Sequence, residues 1–179
     1  MKWWSNNIVL AGRDEEAGGT WLGVSKEGKF GAITNLKEET DIKYSNSRGS
    51  LVTEFLESQV SAKSYLEALE PNKDNYAGFN LIVGDKSGLF YLCNRLEGIF
   101  FISEGIHALG NLTLNSSTKK IESIKNDFNQ ILHEGFAIDK GLHIMRKEYG
   151  NLHEKTKKEL QVRDGEEIPF RFIRSPIYG

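Results

Sequence analysis

Two short apolar runs, Thr20 to Ser25 and Lys29 to Asn35, flank Lys26-Glu27-Gly28. Strand-forming residues on both sides of a Gly-bearing turn predict a β-hairpin, because Gly takes the positive φ that a tight turn needs. Gly18, Gly19, Gly23 and Gly31 stand in or beside these strands. Glycine weakens a strand and marks a bulge or a close approach, so it implies either room for Trp21 and its neighbours, the preferred reading, or a ligand against bare backbone.

Farther along, the period changes. Lys37 to Ser47 is polar and predicts a surface loop; Ser47 or Ser50 then caps a helix carrying Leu51, Val52, Phe55 and Leu56 on one face. Ser61 caps a second helix with Tyr65, Leu66 and Leu69 as its apolar stripe, ended by Pro71. Phe79 to Gly84 and Leu89 to Cys93 flank Asp85-Lys86-Ser87-Gly88, a second hairpin. Ile99 to Ile102 adds a third run, and Ile106 to Leu109 extends the same meander. Ile121, Ile124, Phe128, Ile131 and Leu132 recur at three- and four-residue steps and predict one buried helical stripe, stopped by Gly135. A weaker helix covers Asp139 to Tyr149 with Leu142, Met145 and Tyr149 on one side, residues 151 to 166 take no assignment, and Ile168 to Ile173 reads as a strand. The order predicts an α+β fold with mostly antiparallel sheets.

Composition narrows the function classes. With 179 residues, 39% hydrophobic and 27% charged, the chain suits a single domain over 1–179 with its own core. A net charge of −2 and a pI near 6.1 supply no basic field for a phosphate backbone, so nucleic acid is not an expected partner. Met1 to Asn7 turns polar before a leader's apolar core forms, and no run approaches the roughly 20 residues of a membrane helix. With one cysteine, Cys93, this predicts a cytoplasmic protein without an internal disulfide. Cys93 lies in an apolar strand, where a thiol is usually an inert small hydrophobe. His107, His133, His143 and His153 lack metal-ligand spacing, so no metal and no cofactor are expected.

A longer pattern runs through these elements. It comprises Gly12-Arg13-Asp14, Gly18-Gly19-Thr20-Trp21-Leu22-Gly23, Gly28 through Ala32-Ile33-Thr34-Asn35, Ser47-Arg48-Gly49, Tyr76-x-Gly78-Phe79-Asn80-Leu81-Ile82, Asn94-Arg95, Leu109-Gly110-Asn111 and Arg174-Ser175-Pro176-x-Tyr178-Gly179. In these segments the chain resembles the NRDE family, also called the Transport and Golgi organisation protein two family, over nearly its whole length. The resemblance implies an N-terminal-nucleophile hydrolase-like αββα sandwich, in which a terminal Cys, Ser or Thr attacks an amide with its own amine as base. The family's opening Met-Cys, first strand and Asn-Arg-Asp-Glu motif have no counterpart here, and Gly12-Arg13-Asp14-Glu15 aligns with a later Gly-x-Asp. The pattern also stops at Gly179, before the family's last strands.

The expectation is therefore an incomplete sandwich, related to amide hydrolases or acyltransferases but non-catalytic as written. The alternative is a non-catalytic binder or carrier of an unknown small molecule, in haem or lipid homeostasis or trafficking. The resemblance implies Asn35 and Asn111 as polar groups for an oxyanion, with Arg174 and Asn80 as ligand-binding candidates; the residues alone permit a turn role for both Asn35 and Asn111. Arg48 is read either as a partner for a ligand carboxylate or as a solvated charge. Oligomeric state is left open.

Overall fold

The computed structural model describes residues 1–4, 7–36, 44–135 and 138–146. The chain divides into two compact units, Met1–Ile121 and Glu122–Gly179.

The first unit is built on seven strands, β1 (Lys2–Trp3), β2 (Val9–Ala11), β3 (Leu22–Ser25), β4 (Phe30–Asn35), β5 (Phe79–Asp85), β6 (Gly88–Cys93) and β7 (Phe100–Ile102). They form one sheet in sequence order, and each neighbouring pair is antiparallel. Both predicted hairpins are present, the first turning at Gly28 with φ +80°. Trp21 precedes β3 and takes part through its carbonyl, which accepts from the Ile33 N–H at 2.9 Å.

β4 and β5 are neighbours in the sheet but distant in sequence. The excursion between them carries α1 (Arg48–Glu57), α2 (Ala62–Leu69) and a 3₁₀ turn, Glu70–Asn75, in which Pro71 occupies the opening turn. Since side chains alternate along a strand, Val9, Ala11, Ile33, Phe79, Leu81, Val83, Phe90 and Leu92 share one face, which packs on Leu51, Val52, Phe55, Leu56, Ala62 and Leu66. The glycines of the first hairpin belong to this contact. A Cβ on Gly23 would meet Leu56 Cδ1 at 2.8 Å, and one on Gly31 would meet Val52 Cγ1 at 3.0 Å. Helix α1 thus lies against bare backbone, whereas Trp21, for which room was expected, is 53% exposed.

The capping chemistry is explicit. Ser61 accepts from the Ser64 N–H at the start of α2, and Asp85 Oδ2 accepts from Ala62 N–H at 2.7 Å, placing a carboxylate at the positive end of that helix. At the other end of α1, Lys29 is 6% exposed, and its Nζ reaches the carbonyl oxygens of Phe55 (3.2 Å), Ser58 (2.5 Å) and Val60 (2.9 Å). An ammonium beside the carbonyls at and just beyond a helix C-terminus meets the negative end of the helix dipole and finds acceptors for its own donors. Burial, only partly opposed by Glu27 and Asp85, pulls the Lys29 pKa below the usual lysine range.

The opposite sheet face carries two apolar cross-strand rows. One runs Trp3, Leu10, Val24, Phe30, Gly84, Leu89, Ile102; the other runs Leu22, Ala32, Ile82, Tyr91, Phe100. Leu109 and Leu114, from the segment after β7, cover part of it around Tyr91, Cys93 and Ile102. Leu22, Val24, Trp3 and Phe100 stay exposed. The predicted extension at 106–109 lies in a loop, 103–118, in which Ala108 bonds to the backbone and side chain of Asn115 in place of a strand ladder.

In the second unit, α3 (Lys119–Glu134), which begins in the first, is followed by α4 (Ile138–Arg146). The predicted stripe on α3 holds in part: Ile121 and Ile131 are buried and Ile124 and Phe128 half-buried, but Leu132 is 52% exposed. On α4 Ile144 is buried and Leu142 exposed. The Met145 side chain, Tyr149 and everything beyond, including the expected strand at 168–173, lie outside the described residues.

Candidate functional site

Asn35 ends β4, and Asn111 sits in the loop after β7, 76 positions later. They meet: Asn111 Nδ2 donates to the Asn35 carbonyl at 3.0 Å. Strand alternation and loop placement converge here, since Thr34, one residue before Asn35, turns to the partly open sheet face and donates its hydroxyl to the Gly110 carbonyl at 2.8 Å. Asn111 is exposed.

Below this pair lies a buried polar group of three side chains. Asn80, wholly buried, donates to Leu112 O at 3.0 Å and Thr34 Oγ1 at 3.3 Å, and its Oδ1 accepts from the Tyr91 hydroxyl at 2.7 Å. Tyr91 in turn accepts from Leu114 N–H at 3.2 Å. Buried polar groups cost free energy unless paired, and here each finds a partner. Burial pushes the Tyr91 hydroxyl up to about 12, with Cys93 adding to the rise and the Leu114 N–H opposing it. Cys93, wholly buried, shares this face.

The loop is also tied to itself. Asn115, at φ 58°, donates backbone N–H to Ala108 O at 2.9 Å and accepts from Ala108 N–H at 3.1 Å. The Ser103 carbonyl can only accept, so His107 Nε2 donates to it at 3.0 Å, and Nδ1 accepts from Asn115 Nδ2 at 2.9 Å. His107 is thereby occupied as a loop brace. No group of three or more metal-ligating side chains occurs among the described residues, and no described helix is long and apolar enough to cross a membrane.

The family model for Transport and Golgi organisation 2 matches residues 1–178. The chain belongs to that family. It is 35% identical over 147 residues to a Transport and Golgi organization 2 homolog of Mus musculus, covering 77% of this chain and 53% of the mouse protein. A Bos taurus homolog is 36% identical over 142 residues, 74% of this chain and 51% of the relative, and a Homo sapiens homolog 35% over 147, 77% and 53%. The chain spans about half the length of these curated relatives.

Much of the Transport and Golgi organisation 2 pattern serves the scaffold. Asp14 makes a turn, its Oδ1 accepting from Glu16 and Ala17 N–H, both at 3.0 Å. Arg48 Nη1 donates to Gly78 O at 3.1 Å, so its placement is set by the chain itself. Asn94, buried, donates to the carbonyls of Lys73, Tyr76 and Ala77 and accepts from Phe79 N–H at 2.8 Å, fastening the 3₁₀ turn to the start of β5. Of the four site candidates, Asn80 and Asn111 lie with the Asn35 backbone carbonyl, whereas the Asn35 side chain, one residue on from Thr34 and opposite Phe79, belongs to the other sheet face. Arg174 lies outside the described residues. Thr34 and Tyr91 were not singled out in the sequence; a hydroxyl-bearing ring in the apolar run Leu89 to Cys93 was the available signal.

An exposed amide above a satisfied polar base can donate to an incoming oxygen. Such a preset donor stabilises negative charge without reorganising as the charge develops.

Proposed function

We propose that this chain carries the framework and the polar groups of an N-terminal-nucleophile hydrolase-like site, with Asn111, beside Asn35, as the donor to an oxyanion or carboxylate. The observation that carries the reading is the 3.0 Å bond from Asn111 Nδ2 to Asn35 O, since residues this far apart have no local reason to meet. An antiparallel sheet with helices on one face and an exposed apolar band on the other supports the αββα sandwich: a second sheet laid on that band would bury Leu22, Val24 and Phe100. The single Cys is wholly buried, so the reading assigns it no nucleophilic role. A role in transport and Golgi organisation, as the relatives' names state for them, and a cytoplasmic location are part of the same proposal.

Titration with phenylacetate, a small carboxylate, tests it through the side-chain amide signal of Asn111. A saturable shift confined to this amide and its neighbours is the expected result; no shift, or shifts spread over the surface, would overturn the site. Assay of the 179-residue chain on acyl p-nitroanilides should give no turnover. Turnover abolished by Cys93→Ala would reverse the reading of the thiol.

A further inference from the structure

Loop 109–114 is held to the sheet in two ways. Leu109 and Leu114 pack on Tyr91, Cys93 and Ile102, and the Thr34, Asn80 and Tyr91 side chains bond to the backbone of Gly110, Leu112 and Leu114. The two differ in what they specify. Apolar contact is non-directional and tolerates a slide of one residue. Hydrogen bonds fix which atom lies opposite which.

The polar set leaves no such freedom. Tyr91 has one O–H, given to Asn80 Oδ1, and accepts from Leu114 N–H. That fixes the rotamer sense of the Asn80 amide: with Oδ1 facing Tyr91, both Nδ2 hydrogens point to Leu112 O and Thr34 Oγ1. Thr34 accepts there, so its own hydrogen goes to Gly110 O. Each member orients the next, from Tyr91 at the base to the residue adjoining Asn111. A flipped Asn80 would set its Nδ2 against the Tyr91 hydroxyl and its oxygen against the Leu112 carbonyl, two acceptors face to face.

We infer that Tyr91 is a positioning residue for Asn111: through Asn80, Thr34 and Leu114 its hydroxyl latches loop 109–114 in the register that brings the Asn111 amide onto the Asn35 carbonyl. The functional importance of the latch rests on the reading of Asn111 given above; the latch itself does not.

The experiment is amide hydrogen exchange and side-chain amide spectra of the full 179-residue chain and its Tyr91→Phe variant, without added ligand. The ring and its packing remain, so the expected result is local. Exchange at Gly110 to Leu114 should accelerate about tenfold, while amides of α1 and of β2 to β4 stay within about twofold, and the Asn111 side-chain signal should shift. Unchanged exchange at 110–114 would mean that apolar packing holds the loop, and equal acceleration throughout would make Tyr91 a general stabiliser; either overturns the inference. Thr34→Val removes the bond to the Gly110 carbonyl without touching the Tyr91 ring and should shift the Asn111 side-chain amide signal in the same way. If Tyr91→Phe does not fold, an unchanged Asn111 side-chain signal in Thr34→Val still refutes the latch. Since no ligand is present, a failed phenylacetate titration would refute the site and leave this result standing.

Discussion

Gly19 and Gly49 lie backbone to backbone: a Cβ on Gly19 would sit 2.6 Å from the Gly49 carbonyl carbon, and Thr20 N–H donates to Gly49 O at 3.2 Å. Two segments of the family pattern, Gly18-Gly19-Thr20 and Ser47-Arg48-Gly49, are therefore one contact, which seats the start of α1 against the entry to β3.

Gly19→Ala should destabilise the fold by about 1–3 kcal/mol, because the methyl meets backbone that cannot rotate away. Urea unfolding measures it. Gly12→Ala, with nothing within 4 Å of its Cβ, is the control and should change stability by less than about 0.5 kcal/mol.

Lys29→Met keeps the stem and removes the ammonium from three carbonyls and the Ser58 hydroxyl. Loss of about 1–3 kcal/mol is expected, since a buried acceptor left unpaired costs its desolvation. Lys26→Met, on the exposed turn of the same hairpin, should cost much less. Equal effects in chemical denaturation would show the buried ammonium to be dispensable.

Asp85 gives a pH signature. Burial alone would raise its pKa, but the Ser87 hydroxyl, the N–H groups of Ala62 and Ser87 and the Lys29 charge outweigh it and hold the carboxyl below 3.8. The folded state then binds fewer protons than the unfolded near that value, so the stabilisation is complete above about pH 4–5 and lost as pH falls through the folded pKa. The stability gap between the parent and Asp85→Asn should be widest near pH 7 and shrink below pH 4. A gap independent of pH would refute the role assigned to its charge.

Phe55, wholly buried beneath the sheet and tilted against Tyr65 at 5.2 Å, should cost about 3–5 kcal/mol on truncation to Ala. Phe128 is only half-buried on α3, and Phe128→Ala should cost clearly less. The reverse order in thermal or urea unfolding would refute this ranking of the two side chains by burial.

The sequence by itself determined most local elements of the first unit, though not the short strands β1 and β2. Both hairpins, α1, α2 and the Ser61 cap were legible because a strand's period of two, a helix's period of 3.6 and turn residues such as Gly28 act over a few neighbouring positions. The family pattern added that Asn35 and Asn111 belong together, which no local period encodes. Tertiary structure decided what each face meets. A period says which side chains share a face but not what lies opposite: the hairpin glycines received α1 rather than making room for Trp21, Lys29 became the buried cap of a helix end 26 to 31 residues away, and the loop after β7 lies on the sheet where Thr34, Asn80 and Tyr91 offer side-chain partners to the backbone of Gly110, Leu112 and Leu114. Leu132 and Leu142 show the same limit on helices, where apolar spacing permits a stripe and only packing determines how wide it is.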